Sequence, residues 1–267
     1  MAQGRGWLSE NPSKAWGEKF FLLHSLVWIA IVAAVMLGGL AHRMGDVACL
    51  ALGLGVFLPL IVVPLVRPGK ADRGRPLRER YWLKFNVWVA IVAFVGSYFI
   101  THFFFDELGM TYGFAVRWHV ESRLMDRGGG EVPVFLYFLA HVYFTTYYTV
   151  MSIGLRRVRR VLGGGRWATV LAVLAMSYAT AFAETLFMAS PYLAGLFDYA
   201  DRSRMLGTGS AAYGLVFAAT LPFVFSLDEG PGESRPLGRV VVDALAGSML
   251  ALFLLDVWAA VVGPLAG

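Results

Sequence analysis

Six ionisable side chains lie inside long apolar stretches of the sequence: His24, His102, His141, Glu184, Asp243 and Asp256. An ionisable group in the hydrocarbon core of a membrane is costly unless it is neutral, paired or in contact with water, so such residues are the first candidates for function. Imidazoles and carboxylates are the groups that enzymes use for general acid and base catalysis. The pattern therefore predicts proton-transfer chemistry inside a membrane.

The elements that carry these residues are predicted to be membrane-spanning helices. With 58% hydrophobic residues, 15% charged residues and a mean hydropathy of +0.62, the chain has more apolar side chains than a soluble core could bury. A membrane helix needs about 20 apolar residues. Seven such stretches are found, at about 20–41, 47–66, 85–105, 133–155, 167–190, 211–227 and 240–262.

We therefore predict an all-α, polytopic membrane bundle that forms a single domain over residues 1–267. Residues 1–19 form an N-terminal segment and residues 20–262 form the bundle. Within the N-terminal segment, Asn11 followed by Pro12 is typical of a helix start, because Asn caps free backbone N–H groups and Pro suits the first turn.

The basic residues indicate how the bundle is oriented. Of the 23 lysines and arginines, 17 fall on the side of the N-terminus when the predicted spans are followed in turn. By the positive-inside rule, the N-terminus is cytoplasmic and the C-terminus lies on the opposite face. Basic residues beside apolar spans face anionic lipid head groups, so we predict contact with the lipid bilayer and no nucleic-acid partner.

The predicted topology also gives the depth of four candidates. Glu184 and Asp256 each lie 17 residues beyond the cytoplasmic end of their span, and His102 lies 18 residues beyond its own. At a helical rise of 1.5 Å per residue, all three are about 25 Å across the membrane. His141 enters from the opposite side and comes close to the same layer. We therefore expect four titratable groups to meet in one dry compartment.

Helical spacing supplies polar neighbours to these groups. Tyr98 and Thr101 share a helix face with His102, and Tyr137 shares one with His141. The alternative for any of these histidines is a structural hydrogen bond that holds helices together. For Asp243, which follows Arg239 by one helical turn, we predict a structural ion pair.

Several classes of protein are excluded. Cys49 is the only cysteine, so neither an intramolecular disulfide nor a cysteine-based metal cluster can form. No lysine follows Lys84, so the last helix cannot form a Schiff base with retinal. The sequence has neither the H-E-x-x-H pattern nor a G-x-G-x-x-G pattern after a strand. We predict no cofactor and no metal.

Short segments along nearly the whole chain carry a resemblance to a known family. They are residues 8–14, 16–18, 69–73, 80–82, 96–99, 101–102, 141–142, 155–157, 177–178, 184–185, 201–203, 242–245, 256–258 and 263–264. In order and approximate spacing the sequence resembles the cycloeucalenol cycloisomerase family of plant sterol synthesis. It departs from the plant pattern over residues 117–131.

The resemblance implies opening of the 9β,19-cyclopropane ring of a cycloeucalenol-type sterol to give an 8,9-unsaturated sterol of the obtusifoliol type. An acid protonates the bridging methylene, positive charge develops on the adjacent ring carbon, and a base removes a neighbouring proton. The reaction is a redox-neutral isomerisation. The substrate would reach the site laterally from the bilayer.

This chemistry suggests roles for the candidates. A carboxylic acid in an apolar site can keep its proton at neutral pH, so Glu184 is the expected general acid. The expected base is Asp256, His102 or His141. Aromatic faces would stabilise the transient cation. The residues expected to contact the sterol are Tyr98, Tyr178, Trp28, Thr101 and Tyr137.

Two other functions fit the same residues. A proton-coupled transporter of lipids or small molecules would use the layer as a proton relay, and a non-catalytic membrane protein would bind the sterol without converting it. Only 4 of the 23 basic residues are lysine, which is typical of a GC-rich genome. The expected location is the inner membrane in a bacterium or the endoplasmic reticulum in a eukaryote. The sequence suggests no particular protein partner.

Overall fold

Seven long helices form the protein in a computed structural model, which describes residues 6–121 and 131–263. All seven are long and apolar enough to span a membrane. They are α1 (Pro12–Leu37), α2 (Asp46–Val66), α3 (Tyr81–Asp106), α4 (Val134–Val161), α5 (Arg166–Met188), α6 (Arg202–Phe225) and α7 (Leu237–Val262). The predicted all-α membrane bundle is confirmed. Part of the divergent segment 117–131, and Pro264, lie outside the described residues.

The helix ends differ from the predicted spans where polar residues continue a helix. Helix α1 begins at Pro12, and the Asn11 side chain accepts hydrogen bonds from the backbone N–H groups of Ser13 and Lys14. The predicted Asn11–Pro12 helix start is confirmed. Helix α6 begins at Arg202, nine residues before the predicted span. The prediction missed these residues because the first turns of the helix are polar and rich in glycine. The length of the apolar stretch therefore underestimated the lengths of α1 and α6.

Helix α4 lies at the centre of the bundle, where it packs against α1, α2, α3, α5 and α6. Helix α6 packs mainly against α4, α5 and α7, and α7 also packs on α3. Helices α5 and α7 have their main contacts with α6 rather than with each other. This packing order determines which of the deep polar residues can meet.

Two of the helices contain a π-helical turn, at Gly96–Ile100 in α3 and at Met205–Gly209 in α6. Such turns widen the helix by one residue and occur frequently at functional sites. In α3, the Thr101 hydroxyl donates a 3.1 Å hydrogen bond to the Gly96 carbonyl oxygen. In α6, the Ser210 hydroxyl does the same for the Met205 carbonyl oxygen at 3.3 Å.

Short strands cover the end of the bundle at which α3 and α5 finish. Strand β1 (Met110–Tyr112) pairs antiparallel with β4 (Phe197–Tyr199), and β2 (His119–Glu121) pairs antiparallel with β3 (Glu131–Pro133). The register of the first sheet places Met110 opposite Tyr199 and Tyr112 opposite Phe197. We refer to strands β1 and β4 as the strand cap.

The opposite end of the bundle contains a buried network of charges. Arg156 bonds the Glu18 carboxylate at 2.6 Å and the Glu229 carboxylate at 2.5 Å, and Lys14 bonds Glu229 at 2.8 Å. The Lys14 side chain is fully buried and also donates to the carbonyl oxygens of Phe225 and Leu227. These bonds join α1, α4 and the segment between α6 and α7.

Two further ion pairs lie at this same end. The fully buried Lys84 of α3 bonds Asp228. Asp243 accepts from Arg235 at 2.6 Å and from Arg239 at 2.8 Å, so the predicted structural ion pair is confirmed. We call the residues of these networks, Lys14, Glu18, Lys84, Arg156, Asp228, Glu229, Arg235, Arg239 and Asp243, the ionic end.

Candidate active site

A cavity lies between α3, α4, α5, α6 and the strand cap, and we call it the main cavity. Among the described residues that line it, Glu184 is the only one with a carboxylate. Its polar lining also includes Ser97, Thr101 and Thr185. Its walls are largely aromatic and aliphatic. The aromatic lining residues are Phe104, Tyr112, Tyr143, Phe144, Phe197, Tyr199 and Tyr213.

A phenol binds the Glu184 carboxylate. The Tyr213 hydroxyl of α6 donates a 2.6 Å hydrogen bond to Glu184 Oε2. The Tyr147 hydroxyl of α4 lies close enough to interact electrostatically with the same carboxylate. The bond from Tyr213 crosses between helices, so the position of the Glu184 side chain depends on the packing of α5 and α6.

The strand cap contributes four lining side chains: Met110, Tyr112, Phe197 and Tyr199. Tyr112 lies edge-on to Phe197, with ring centroids 5.5 Å apart. Burial raises the pKa of Tyr112 and of Tyr199 above the usual value, so both phenols are neutral at physiological pH. The cap thus covers the cavity with neutral aromatic rings, and the carboxylate is supplied by α5.

The structure does not bring the four deep groups into one compartment. Asp256 and His102 line a second cavity, between α3 and α7. Glu184 lines the main cavity, so the prediction that all four groups meet is wrong. The physical reason is the packing order, since α5 and α7 contact different sides of α6. Depth along a helix is readable from sequence, but the direction in which a side chain points is not.

His141 is also separate from Glu184. Its Nε2 lies 2.9 Å from Asn86 Oδ1, and its ring lies edge-on to Phe57 with centroids 4.9 Å apart. The side chain is buried between α2, α3 and α4 and is not among the residues that line the main cavity. This is the structural alternative considered for a histidine in a membrane bundle.

The five residues predicted to contact the substrate lie in different parts of the structure. Thr101 lines the main cavity. Trp28 lies behind its wall, edge-on to the lining residue Tyr143 with ring centroids 4.6 Å apart. Tyr98 and Tyr137 pack around Phe94 and are not among the residues that line the cavity.

Tyr178 is the last of these predicted contacts. It lies on the outer surface of α5 with 43% of its side chain exposed, so its predicted place in the site is corrected. In a membrane this surface faces lipid or a neighbouring molecule, since the bundle leaves it uncovered.

Sequence analysis missed the phenols that surround the carboxylate. Tyr143 and Tyr147 are four residues apart on α4, which is the spacing of a shared helix face, and they lie beside the face that carries His141. That spacing was an available signal. Tyr112 and Tyr199 gave none, because both lie in short strands outside the predicted spans.

Comparison with known proteins gives the family. The chain is 35% identical to cycloeucalenol cycloisomerase of Arabidopsis thaliana over 266 residues, which is 97% of this chain and 90% of the relative. The chain belongs to the cycloeucalenol cycloisomerase family. No family profile and no solved structure matches it. Membership identifies the chain as an isomerase, and its seven long helices are apolar enough to span a membrane.

Proposed function

We propose that this protein opens the cyclopropane ring of a cycloeucalenol-type sterol within the membrane, giving an 8,9-unsaturated sterol of the obtusifoliol type. Two facts support the proposal. The relative carries the name cycloeucalenol cycloisomerase, and the main cavity combines one carboxyl group with aromatic walls. The carboxyl group is the single observation on which the reaction depends, because ring opening begins with a proton donor.

In the proposed first step, Glu184 gives its proton to the bridging methylene of the ring. The electron pair of the breaking carbon–carbon bond forms the new C–H bond, so the methylene becomes a methyl group. The adjacent ring carbon is left with a positive charge. The ring faces of Tyr112, Tyr143 and Phe144, which line the cavity, supply negative electrostatic potential to this cation.

In the proposed second step, the Glu184 carboxylate removes a proton from the neighbouring ring carbon. The electrons of that C–H bond form the double bond, and Glu184 returns to its starting state. Glu184 gives up one proton in the first step and takes up one in the second, so a single acid–base group is sufficient for the whole reaction. Asp256 and His102 line the other cavity and His141 is bonded to Asn86, which favours Glu184 for both steps.

The phenol that binds Glu184 has a role in this scheme. When Glu184 gives up its proton, the hydrogen bond from Tyr213 stabilises the carboxylate that remains. The same bond holds the carboxylate in place for the second step. Tyr213 is therefore a positioning residue in our proposal.

The orientation of the protein is part of the proposal. The ionic end lies on the side of the N-terminus, together with 17 of the 23 basic residues. We propose that this end faces the cytoplasm and that the strand cap faces the opposite side.

Ring opening in heavy water tests the proposed function. Membranes that contain the protein are given cycloeucalenol in deuterated water, and the product is analysed by mass spectrometry and NMR. We expect a ring-opened sterol with at most one added deuterium, located in the new methyl group. A transporter or a binding protein would return the sterol unchanged.

Glu184→Gln is the matched variant, because glutamine has the same shape but no acidic proton. We expect conversion to fall at least 1,000-fold, on the order of the loss of a general acid together with a base. The exposed Glu79 provides the control, and Glu79→Gln should retain full conversion. Full conversion by Glu184→Gln, with the protein still inserted, would remove Glu184 from the reaction.

A further inference from the structure

The second cavity combines acidic and apolar side chains. It lies between the final turns of α3 and α7, and its polar lining residues are His102, Asp106, Glu107 and Asp256. Its other lining residues are apolar, including Phe103 and Leu252. Among the described residues that line it, none is lysine or arginine. The cavity is therefore suited to a ligand that has an apolar body and a hydrogen-bond donor at one end.

An unsatisfied polar group lies in the wall of this cavity. His102 is only 6% exposed, and its Nε2 atom is buried without a hydrogen-bond partner in the described part of the chain. A buried polar atom without a partner costs about 1–3 kcal/mol, so most such atoms in proteins are satisfied by a ligand, a water molecule or another side chain. A polar ligand bound in the cavity that His102 lines is one source of such a partner.

The position of the cavity along the bundle restricts what that ligand can be. His102 follows Lys84 of the ionic end by 18 residues of α3, which corresponds to about 27 Å along the helix. The cavity therefore lies near the level of the lipid head groups on the opposite side. Its three carboxylates repel the phosphate of a phospholipid head group. A neutral hydroxyl on an apolar body meets no such repulsion.

The second cavity is next to the main cavity. Ile100 lines both of them. A packed apolar cluster that includes Ile100, Val216 and Leu255 lies between α3, α6 and α7. This cluster contains no charged residue among its described members.

We propose that the second cavity is an entry site that binds the hydroxyl end of a membrane-dissolved sterol before the sterol passes into the main cavity. The proposal rests on the proposed function of the main cavity. The hydroxyl donates to the Asp256 carboxylate and bonds His102 Nε2, while the ring system lies along the apolar wall. Asp256 and His102 thereby select the substrate and take no part in proton transfer to the ring.

Two sterols that differ only at the hydroxyl test the entry site. Cycloeucalenol and its 3-O-methyl ether are supplied over a range of concentrations to the full-length protein in lipid vesicles, and ring opening is measured. The ether cannot donate a hydrogen bond. For the wild type we expect kcat/KM to be about tenfold higher for the free hydroxyl, the factor that 1.4 kcal/mol gives.

The variants are Asp256→Leu and His102→Phe, which remove the polar groups and approximately keep the volume. We expect each to lower the preference for the free hydroxyl to threefold or less, with kcat for cycloeucalenol unchanged. Val257→Leu is the control, because Val257 is the next residue on α7 and is exposed on the outside. It should keep the tenfold preference.

Two results would overturn the entry site. The first is a variant that keeps the full preference, which would place the hydroxyl elsewhere. The second is an equal loss of kcat for both sterols in the Asp256 variant, which would give Asp256 a role in the chemistry. If the wild type opens neither sterol, the proposed function fails. In that case the entry site is tested by equilibrium binding of the two radiolabelled sterols to the same vesicles. The preference for the free hydroxyl over the ether is then compared between the wild type and the variants.

Discussion

The hydroxyl of Tyr213 donates a 2.6 Å hydrogen bond to Oε2 of Glu184. The two residues lie on neighbouring helices, α6 and α5, and both line the main cavity. The bond therefore holds the carboxyl group of Glu184 against the wall that Tyr213 forms.

Tyr213→Phe should reduce ring opening by about 10- to 100-fold, since a hydrogen bond to a charged group contributes about 1.5–3 kcal/mol. The ring remains to fill the wall, so we expect the thermal unfolding temperature to change little. The measurement is kcat for cycloeucalenol in membranes, together with unfolding of the purified protein in detergent. The loss should appear in kcat rather than in KM.

The exposed Tyr192 provides a control, since it loses the same hydroxyl in Tyr192→Phe without touching the cavity. That variant should retain wild-type activity. Wild-type kcat in Tyr213→Phe would show that the carboxylate needs no help from this phenol, and the positioning role would be withdrawn.

Much of the fold could be predicted because it depends on local sequence. Helix number follows from apolar run length, and the start of α1 follows from Asn11 and Pro12. Asp243 could be paired with Arg239 because the two residues are one turn apart on one helix. In each case the interacting groups lie within a few residues of each other, where helix geometry leaves little freedom.

The composition of the site could not be predicted in the same way. Glu184 and Asp256 each line a cavity, but the separation of the two cavities depends on which helices pack together. The partner of Arg239 lies on its own helix, whereas the partners of Arg156 come from α1 and from the segment after α6. Pairings between distant segments require the tertiary structure.

A second prediction concerns Gly113, a glycine next to the strand cap that has no room for a side chain. Gly113 follows β1, and its backbone N–H donates a 3.1 Å hydrogen bond to the Leu196 carbonyl oxygen just before β4. A Cβ atom at Gly113 would lie 2.0 Å from the carbonyl oxygen of Gly195. Because both contacts are with backbone atoms, no side-chain rotation could relieve this clash.

Gly113→Ala should therefore displace the strand cap and with it Tyr112 and Phe197 from the cavity wall. We expect ring opening to fall at least tenfold, on the order of the loss of one well-placed stabilising contact in the transition state. The helices are untouched, so the unfolding temperature should fall little. Gly55→Ala on α2, where a Cβ meets no atom within 4 Å, is the control and should be fully active. Unchanged turnover by Gly113→Ala would show that the cap does not shape the site.

A third prediction concerns the ionic end and its contribution to stability rather than to turnover. Glu229 bonds Arg156 and Lys14 between the ends of α1, α4 and α6. Burial raises the pKa of Glu229, but the hydrogen bond from Arg156 and the charge of Lys14 outweigh burial, so the pKa lies below the usual 4.5. A carboxylate with a lowered pKa in the folded state stabilises that state above the unfolded pKa, and this contribution is lost as the pH falls through the folded pKa.

We therefore expect the unfolding temperature of the wild type in detergent to be constant near neutral pH and to decrease below about pH 4.5, the ordinary value for glutamate. Glu229→Gln should destabilise the protein at pH 7 by about 3 kcal/mol, because Lys14 and Arg156 stay buried with one carboxylate fewer. The variant should also lose part of the decrease between pH 7 and pH 4, since glutamine does not titrate. Glu79→Gln, at an exposed position, should follow the wild-type curve. If Glu229→Gln and the wild type lost stability in parallel across this range, the acid sensitivity would belong to other carboxylates and the stabilising role of Glu229 would be wrong.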